Sequence, residues 1–226
     1  MQKGRDLPVS EALTMAIHES QSLFWERMIA QGKLFCARYL PLVAETFPNN
    51  FKGVNPEQFY EAVNVSGPSL IRVEADEVTY PMHVILRYEL EKGLFDGSIQ
   101  VEHLPEMWNA KMKEYLGVEP PTDTLGVLQD THWSGGAFGY FPSYTLGAIY
   151  ASQFYQALIR AEPGIEKQIE MGNLAPVREW LGIQIHQQGR LLSVPALVKR
   201  VTGENLNPDH FLDYLKNKYR QIYRLN

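Results

Sequence analysis

The sequence contains a single cysteine, no long apolar run and no tract of clustered basic residues. Cys36 lies between apolar neighbours, which favours a buried, inert thiol, and because it is alone no disulfide can form within the chain. Residues 1–10 lack the apolar core of a signal peptide and no run approaches the length of a membrane span, so we expect a cytoplasmic protein that does not enter a membrane. A net charge of -5 without a basic stripe argues against nucleic acid as a partner.

Strict alternation of apolar and polar residues and Asn-Gly hairpins are also absent, so little β-sheet is expected. Apolar residues instead recur at helical spacing along most of the chain. The chain is long enough to bury a substantial core, and no low-complexity linker or repeat divides it. We therefore predict an all-α, multi-helix fold in which residues 1–226 form a single unit.

Capping residues predict the helix boundaries in the first part of the chain. Ser10 is the expected N-cap of a first helix that buries four apolar side chains, Ile17, Phe24, Met28 and Ile29. Gly32 and Pro41 predict weak points or breaks in the stretch that follows. Asn55 before Pro56 predicts an N-cap with proline at the first helical position, opening a helix at PEQFYEAV.

Proline and glycine also divide the rest of the chain into helices. A mostly helical segment is predicted from Ser69 to about Lys92, with Pro81 kinking or dividing it and Gly93 ending it. Gly117 is expected to end the helix after that. The predicted later helices lie at residues 104–116, 144–161, 174–188, 193–202 and 207–224.

The segment LGVLQDTHWSGGAFGYFPSYTLG, from Leu125 to Gly147, combines polar and aromatic residues with five glycines. Glycines at this density let the backbone approach a ligand closely. His132, Tyr140 and Tyr144 would supply polar groups with hydrogen-bonding reach. The alternative interpretation is a glycine-rich connector whose aromatic side chains fill a gap between helices.

A second polar segment is HESQS, which begins at His18. Adjacent residues on a helix point about 100° apart, so His18 and Glu19 cannot both face one metal ion from a regular helix. One of them could be a ligand and the other its support. A solvated polar face is the simpler alternative.

A third segment, IRVEADEVTYPMHVILRYELE, runs from Ile71 to Glu91. Arg72 stands one helical turn before Asp76, a spacing that usually forms an ion pair on a helix surface. The functional alternative is that Arg72 or Arg87 points inward and binds a carboxylate with its planar guanidinium group. His83 lies between Met82 and Val84 and by default would be a core histidine with a hydrogen-bonded ring.

These three segments, in this order, resemble the C-terminal part of the carboxypeptidase Taq family of zinc metallocarboxypeptidases. The resemblance extends from about Leu7 to the C-terminus and rests on three separate motifs. It implies an all-helical fold with a central cleft, usually assembled as a homodimer. It also implies a hydrolase that removes C-terminal residues from peptides with broad specificity.

Residue by residue, the resemblance assigns roles in binding and catalysis. Arg72 matches an arginine proposed to hold the C-terminal carboxylate of the substrate. His132 and Tyr140 match residues that line the cleft and stabilise the developing oxyanion. Tyr144 and His83 match motif positions and are candidate substrate-binding residues, and Gln129 and Asp130 match motif positions without an assigned role.

The resemblance makes Glu19 the third zinc ligand, with His18 beside it as a supporting group. The other two ligands of the family are histidines of an HExxH helix, whose spacing places both on one face while the glutamate activates the zinc-bound water. None of the six histidines begins such a motif, since only His18 is followed by glutamate and residue 22 is a serine. The His-Pro-Phe and Asp-x-Arg-x-Thr segments of the family are absent too.

We therefore expect one zinc ligand of three in this chain and no general base. The expectation is a C-terminal portion that is inactive alone and needs an N-terminal half or a partner chain to supply HExxH. Zinc, or another divalent metal, is the expected cofactor of the completed site, and a peptide is the expected substrate. The alternative is a non-catalytic helical module that binds peptides or other proteins.

Overall fold

The computed structural model describes residues 7–225. Within that range the regular structure is helical and contains no β-strand, which confirms the prediction of an all-α fold. No helix in this range is long and apolar enough to cross a membrane. The α-helices are α1 (Met15–Leu23), α2 (Lys33–Thr46), α3 (Pro56–Val63), α4 (Tyr80–Asp96), α5 (Leu104–Leu116), α6 (Pro142–Ala161), α7 (Ile165–Glu170), α8 (Ala175–Gln184), α9 (Val194–Thr202) and α10 (Asp209–Tyr223).

Helix α1 begins later than predicted, because Thr14 rather than Ser10 is its N-cap. The Thr14 side chain accepts a hydrogen bond from the backbone N–H of Ile17. The hydroxyl of Ser10 instead donates to the carbonyl of Leu7, 2.7 Å away, within a short 3-10 turn. Ser10 is therefore not the cap, and the prediction of a helix starting there is wrong.

A π-helix, Phe24–Ala30, continues directly from α1. Its i→i+5 bonding is seen where the N–H of Gln31 donates to the carbonyl of Glu26, 2.8 Å away. Four apolar side chains in this stretch were predicted to be buried, and the structure confirms it for all of them: Ile17, Phe24, Met28 and Ile29.

Helices α2 and α3 test two proline predictions with opposite results. The break expected at Pro41 does not occur, since Pro41 lies inside α2 and the helix continues to Thr46. Asn55 and Pro56 act as predicted: the Asn55 side chain accepts from the N–H of Gln58, and the Gln58 side chain accepts from the N–H of Asn55. This capping box satisfies two backbone donors at once.

The segment predicted as one long helix from residue 69 is largely non-helical before α4. Only a 3-10 turn, Arg72–Glu74, precedes the helix, and Pro81 lies in the first turn of α4, where it does not divide the helix. Gly93 does not end α4, which continues to Asp96 and is capped by Gly97 at a φ of 79°. A Cβ at Gly93 would come within 2.6 Å of the Ile99 side chain, so this glycine permits close packing.

The later helices follow the predictions with shifted ends. Helix α5 has the predicted bounds and is closed by Gly117 at a φ of 70°, whereas α6 begins two residues earlier than expected, at Pro142. The prediction omitted α7. It also extended α8 too far, since a separate 3-10 turn, His186–Gln188, follows it.

The chain divides into two compact units. The first comprises the described residues up to Asn64 and from Leu146 onward. Its core consists mainly of side chains from α1, the π-helix, α6, α8 and α9, and a smaller cluster includes Cys36, which is 2% exposed and whose pKa is raised by burial. The second unit, Val65–Thr145, has its own apolar clusters around Trp108 and Phe141. The prediction of a single unit over residues 1–226 stays a prediction.

Candidate functional site

Two arginines and one aspartate form the buried charged centre of the unit Val65–Thr145. Arg72 donates to Asp130 from Nε and from Nη2, with Nη2 lying 2.6 Å from Oδ1. Arg87 donates from Nε to the other oxygen, Oδ2, also at 2.6 Å. Their side chains are 5% and 0% exposed, and that of Asp130 is 11% exposed. Both arginines therefore point inward, and the carboxylate that they bind is that of Asp130.

Burial and pairing act in opposite directions on the charges of this centre. Burial alone would raise the pKa of Asp130, but the hydrogen bonds and charges of Arg72 and Arg87 hold that pKa below its ordinary value. Burial lowers the pKa of Arg87 to about 10 despite the opposing effect of Asp130. Burial also acts to lower the pKa of Arg72, yet the bonds to Asp130 leave it raised. All three groups are charged at neutral pH, and together they carry one net positive charge.

Gln129 connects the two segments that carry these charges. Its Oε1 accepts from the backbone N–H of Arg72, 2.9 Å away, and its Nε2 donates to the carbonyl oxygens of Leu70 and Leu125. The glutamine thus holds the loop before Asp130 against the 3-10 turn that carries Arg72. Helix α4 positions the second arginine, where Nη1 of Arg87 donates to the carbonyl of His83.

Aromatic rings surround Arg72. The Tyr80 hydroxyl accepts from Nη1 at 2.9 Å, and the Tyr144 ring centroid lies 4.9 Å from Cζ. The buried Phe141 ring lies 5.7 Å from the same atom. A cation is stabilised over the faces of aromatic rings, most strongly where water is excluded. The rings therefore help to keep a charged guanidinium group in a buried position.

A second layer, made of His132, Tyr140 and Tyr144, is more accessible to solvent. All three residues are partly exposed. The His132 ring centroid is 5.5 Å from that of Tyr140, and Tyr140 is 5.2 Å from Tyr144. Nε2 of His132 lies 3.1 Å from the Tyr144 hydroxyl. The sequence-predicted residues His132, Tyr140 and Tyr144 are thus neighbours in the structure, next to Arg72.

The surroundings of His132 favour a neutral ring with its proton on Nδ1. Burial lowers the pKa of His132, although the charge of Asp130 opposes this. Nδ1 faces Asp130 at 3.7 Å, a distance at which the carboxylate attracts an N–H. Nε2 then accepts from the Tyr144 hydroxyl, since a neutral imidazole has one donor and one acceptor nitrogen.

His83 lies in the interior of the same unit, as expected of a core histidine, but its ring is not hydrogen-bonded. The residue is 0% exposed, and neither ring nitrogen has a hydrogen-bond partner among the described residues. Burial, reinforced by the charges of Arg87 and Arg72, lowers the pKa of His83 to about 4. The expectation of a satisfied ring is wrong. The role of His83 in substrate binding stays a prediction.

The HESQS segment lies in the other unit, on α1. Glu19 is partly buried and its Oε2 accepts from the Ser22 hydroxyl, 3.2 Å away. Gly147 of α6 packs directly against it, since a Cβ at Gly147 would come within 2.8 Å of the Glu19 Cβ. His18 is exposed and lines a cavity of about 200 Å³ together with His186, whose Nε2 is hydrogen-bonded to Gln21. The roles of Glu19 and His18 at a metal stay predictions.

The family model for carboxypeptidase Taq (M32) metallopeptidases matches residues 1–219. The chain belongs to this family. Carboxypeptidase 1 of Bacillus subtilis is 46% identical over 217 residues, covering 96% of this chain and 43% of that protein. Thermostable carboxypeptidase 1 of Thermus thermophilus is 45% identical over 217 residues, covering 96% of this chain and 42% of its own length.

Solved structures of carboxypeptidase Taq relatives have the same fold over this region. Metallocarboxypeptidase 1 of Trypanosoma cruzi superposes with a TM-score of 0.92 at 40% identity, covering 97% of this chain and 46% of that one. The chain therefore spans less than half the length of the relatives that it matches. The helical fold and the family are shared, while the activity of the whole relatives is a property of longer chains.

Membership of the carboxypeptidase Taq family implies a divalent metal. A catalytic zinc site usually has three protein ligands. Among residues 7–225, no group of three or more His, Cys, Asp or Glu side chains is placed to hold a metal ion. The described residues therefore do not fit a complete metal site.

Two residues of this site, Asp130 and Tyr80, had no role predicted from the sequence. Asp130 is the common partner of both arginines, and Tyr80 accepts a hydrogen bond from Arg72. Asp130 stands in the glycine-rich segment beside Gln129, so its position in the Gln-Asp pair was the available signal. Nothing in the local pattern around Tyr80 distinguishes it from a core aromatic residue.

Proposed function

We propose that this chain supplies the substrate-binding part of a zinc metallocarboxypeptidase that releases C-terminal amino acids from peptides with broad specificity. One observation carries the proposal: the net positive centre of Arg72, Asp130 and Arg87 lies beside the partly exposed layer of His132, Tyr140 and Tyr144. A buried positive charge next to accessible polar groups favours an anionic ligand group. The C-terminal carboxylate of a peptide is such a group.

In this proposal, Arg72 anchors the terminal carboxylate. Asp130 and Tyr80 account for three of its five N–H bonds, one each on Nε, Nη1 and Nη2. The remaining N–H on each Nη would bind the substrate. Arg87 supports this role because it shares Asp130 with Arg72, which leaves one positive charge of the three groups uncompensated.

His132 and Tyr140 would act on the scissile peptide group. Hydrogen bonds aimed at a developing oxyanion stabilise the transition state. The Tyr140 hydroxyl can donate one, and His132 can donate one only from Nε2, in the tautomer opposite to the one favoured in the free chain. Tyr144 would orient His132 through their hydrogen bond. His83, which is buried in the same unit, would support the binding wall.

We further propose that the chain is inactive alone. Residues 7–225 contain no group of three side chains placed to hold a metal ion, and the chain covers 43% of the length of the Bacillus subtilis relative. Both observations support this view. A second polypeptide that carries HExxH would supply two histidine ligands and the general base, with Glu19 as the third ligand and His18 beside it. When bound, zinc would polarise the peptide carbonyl and lower the pKa of its water. A homodimer and a cytoplasmic location are part of the same proposal.

The proposal is tested first by peptide binding to the chain itself. We would compare by calorimetry one peptide with a free C-terminal carboxylate and the same peptide as a C-terminal amide. We expect the free acid to bind roughly tenfold more tightly, because hydrogen bonds to a charged group contribute about 1.5–3 kcal/mol. Arg72→Met should abolish the difference. The exposed Arg178 provides a control, since Arg178→Met should leave it intact.

The variant Arg72→Lys tests whether the preference for the free acid depends on the hydrogen bonds of the guanidinium group or on its positive charge alone. Lysine keeps the positive charge but cannot make the paired hydrogen bonds of arginine, so most of the preference for the free acid should be lost. Equal binding of acid and amide by the unaltered chain would reject the anchoring role of Arg72.

A second experiment tests whether the chain is incomplete. We would measure zinc by elemental analysis after dialysis against trace zinc, then add a polypeptide that carries the HExxH region of a family member. We expect almost no zinc on the chain alone, and release of C-terminal amino acids only from the mixture. Close to one zinc per chain without the added polypeptide would overturn the proposal of an incomplete site.

The alternative function is a non-catalytic peptide-binding module. The lack of a three-ligand group among the described residues favours it for the isolated chain. Unchanged peptide binding with no cleavage after the HExxH polypeptide is added would support this alternative over the enzyme.

A further inference from the structure

Glu91, on α4, is a buried carboxylate for which the proposed function has no use. It is 7% exposed and lies one helical turn after Arg87. Its Oε2 accepts from the indole Nε1 of Trp133 at 2.7 Å, and its Oε1 accepts from the backbone N–H of Gly139. Both carboxylate oxygens are thus bound by groups of the glycine-rich segment.

The two donors lie on either side of a short loop, residues 134–138. Trp133 directly follows His132, and Gly139 directly precedes Tyr140. Gly139 has a φ of 72°, a left-handed conformation that glycine adopts at little cost. Glu91 therefore bonds to the chain at the two positions adjacent to the candidate catalytic residues.

A second contact from α4 reaches the same loop. The Phe95 ring, one turn after Glu91, meets the ring of Phe138 edge to face, with centroids 5.1 Å apart. Residues four apart on a helix share a face. One face of α4 thus packs against the loop through the hydrogen bonds of Glu91 and the ring contact of Phe95.

We propose that Glu91 is a positioning residue that clamps the loop and so sets the relative placement of His132 and Tyr140. The inference rests on the proposed function in so far as those two residues act on a substrate. Its structural part, the clamp, stands on the two hydrogen bonds. It predicts that loss of one bond increases the separation of the two rings, now 5.5 Å between centroids.

The chemistry of the partners requires a carboxylate at this position. An indole N–H and a backbone N–H can only donate, so the clamp needs two acceptor oxygens on one side chain. Glutamine offers one oxygen and one NH₂ group, and the NH₂ would face a donor. Glu91→Gln therefore keeps the size of the side chain but breaks one of the two bonds.

The test is amide and indole hydrogen exchange by NMR, with the unaltered chain as reference. In Glu91→Gln we expect the Trp133 indole or the Gly139 amide to exchange at least about tenfold faster, since one of the two donors loses its acceptor. The matched control is Glu89→Gln on the same helix, because Glu89 is bound by Lys111 and Tyr115 and does not contact the loop. That variant should leave both loop signals unchanged. Unchanged exchange of both groups in Glu91→Gln would overturn the clamp.

A second NMR measurement tests whether Glu91 positions His132 and Tyr140. Contacts between the His132 and Tyr140 ring protons should weaken in Glu91→Gln and persist in Glu89→Gln, whether or not the chain binds peptide. This separates failure of the inference from failure of the proposed function. If Glu91→Gln does not fold, Trp133→Phe removes the indole donor instead, and the Gly139 amide then reports the remaining bond. Ring contacts that persist after loss of either bond would refute the positioning role.

Discussion

Asp130 joins two buried cations that are distant in sequence, which makes it the residue on which the charged centre depends. It lies 58 residues from Arg72 and 43 from Arg87. Without its charge, two buried guanidinium groups would face each other without compensation.

We predict that Asp130→Asn lowers the free energy of unfolding by about 3 kcal/mol or more, because breaking a buried ion pair leaves an uncompensated charge. Chemical denaturation at neutral pH measures this. The exposed Asp123, earlier in the same loop region, is the control, and Asp123→Asn should change stability by less than about 0.5 kcal/mol. Equal, small effects of both substitutions would contradict the importance of the charge at residue 130.

His83 makes stability depend on pH. Its pKa is about 4 in the folded chain against an ordinary value of 6.5, so between these values the unfolded state binds the proton and the folded state does not. Stability contributed by the neutral ring is therefore complete above pH 6.5 and is lost as the pH falls towards 4.

We predict that His83→Met removes this part of the pH dependence. At pH 5 the native chain should lose about 2 kcal/mol through His83 relative to neutral pH, and the variant should lose less by that amount. Urea unfolding at the two pH values measures the difference. If both proteins lose the same free energy of unfolding between neutral pH and pH 5, the acid sensitivity comes from residues other than His83.

At the scale of elements, the close approach of α6 to α1 sets the position of Glu19. Gly147 allows this approach, because a Cβ there would meet the Glu19 Cβ at 2.8 Å. Gly182, inside α8, has no neighbouring atom within 4 Å of its own added Cβ. The two helical glycines thus differ in what faces them.

We predict opposite effects of alanine at these positions. Gly147→Ala should destabilise the chain by about 2 kcal/mol through overpacking. Gly182→Ala should stabilise it by about 0.5–1 kcal/mol, the usual gain of alanine over glycine inside a helix. Thermal unfolding of both variants gives the comparison, and a stabilising Gly147→Ala would rule out tight packing of α6 on α1.

Helix boundaries were predictable from sequence where the deciding interaction is local. Asn55 with Gln58, three residues on, and Gly117 at the end of α5 both act within one helical turn. Prediction failed where the partner could not be read from the pattern: Ser10 bonds back to Leu7, and Gly93 accommodates Ile99.

The candidate site shows the same division. The residue types of His132, Tyr140 and Tyr144 and their nearness in sequence pointed to one cluster, which the structure contains. The inward direction of Arg72 could not be decided, because its partner Asp130 is 58 residues away. Two residues so far apart in the sequence form no local pattern from which their pairing could be predicted.

For the whole molecule, the number of metal ligands determines how zinc acts on stability. A ligand that binds only the folded state at a hundred times its Kd adds about 2.7 kcal/mol. Residues 7–225 contain no three-ligand group that would hold zinc in this way.

We therefore predict that neither zinc nor a chelator shifts the thermal unfolding of the isolated chain. Scanning calorimetry with zinc, with magnesium and with a chelator tests this. A rise in Tm that is specific to zinc would show a site formed from other residues, and Glu19→Gln would then reveal whether Glu19 takes part.

The π-helix Phe24–Ala30 has a consequence for how length changes are tolerated near Glu19. An i→i+5 turn holds one residue more than an α-helical turn, so it offsets the residues before it from those after it by about 100° around the axis. Deleting one residue there would restore α-helical phase and turn the face of α1 that carries Glu19 away from Gly147. The number of residues between Leu23 and Gln31 therefore keeps Glu19 in register with Gly147.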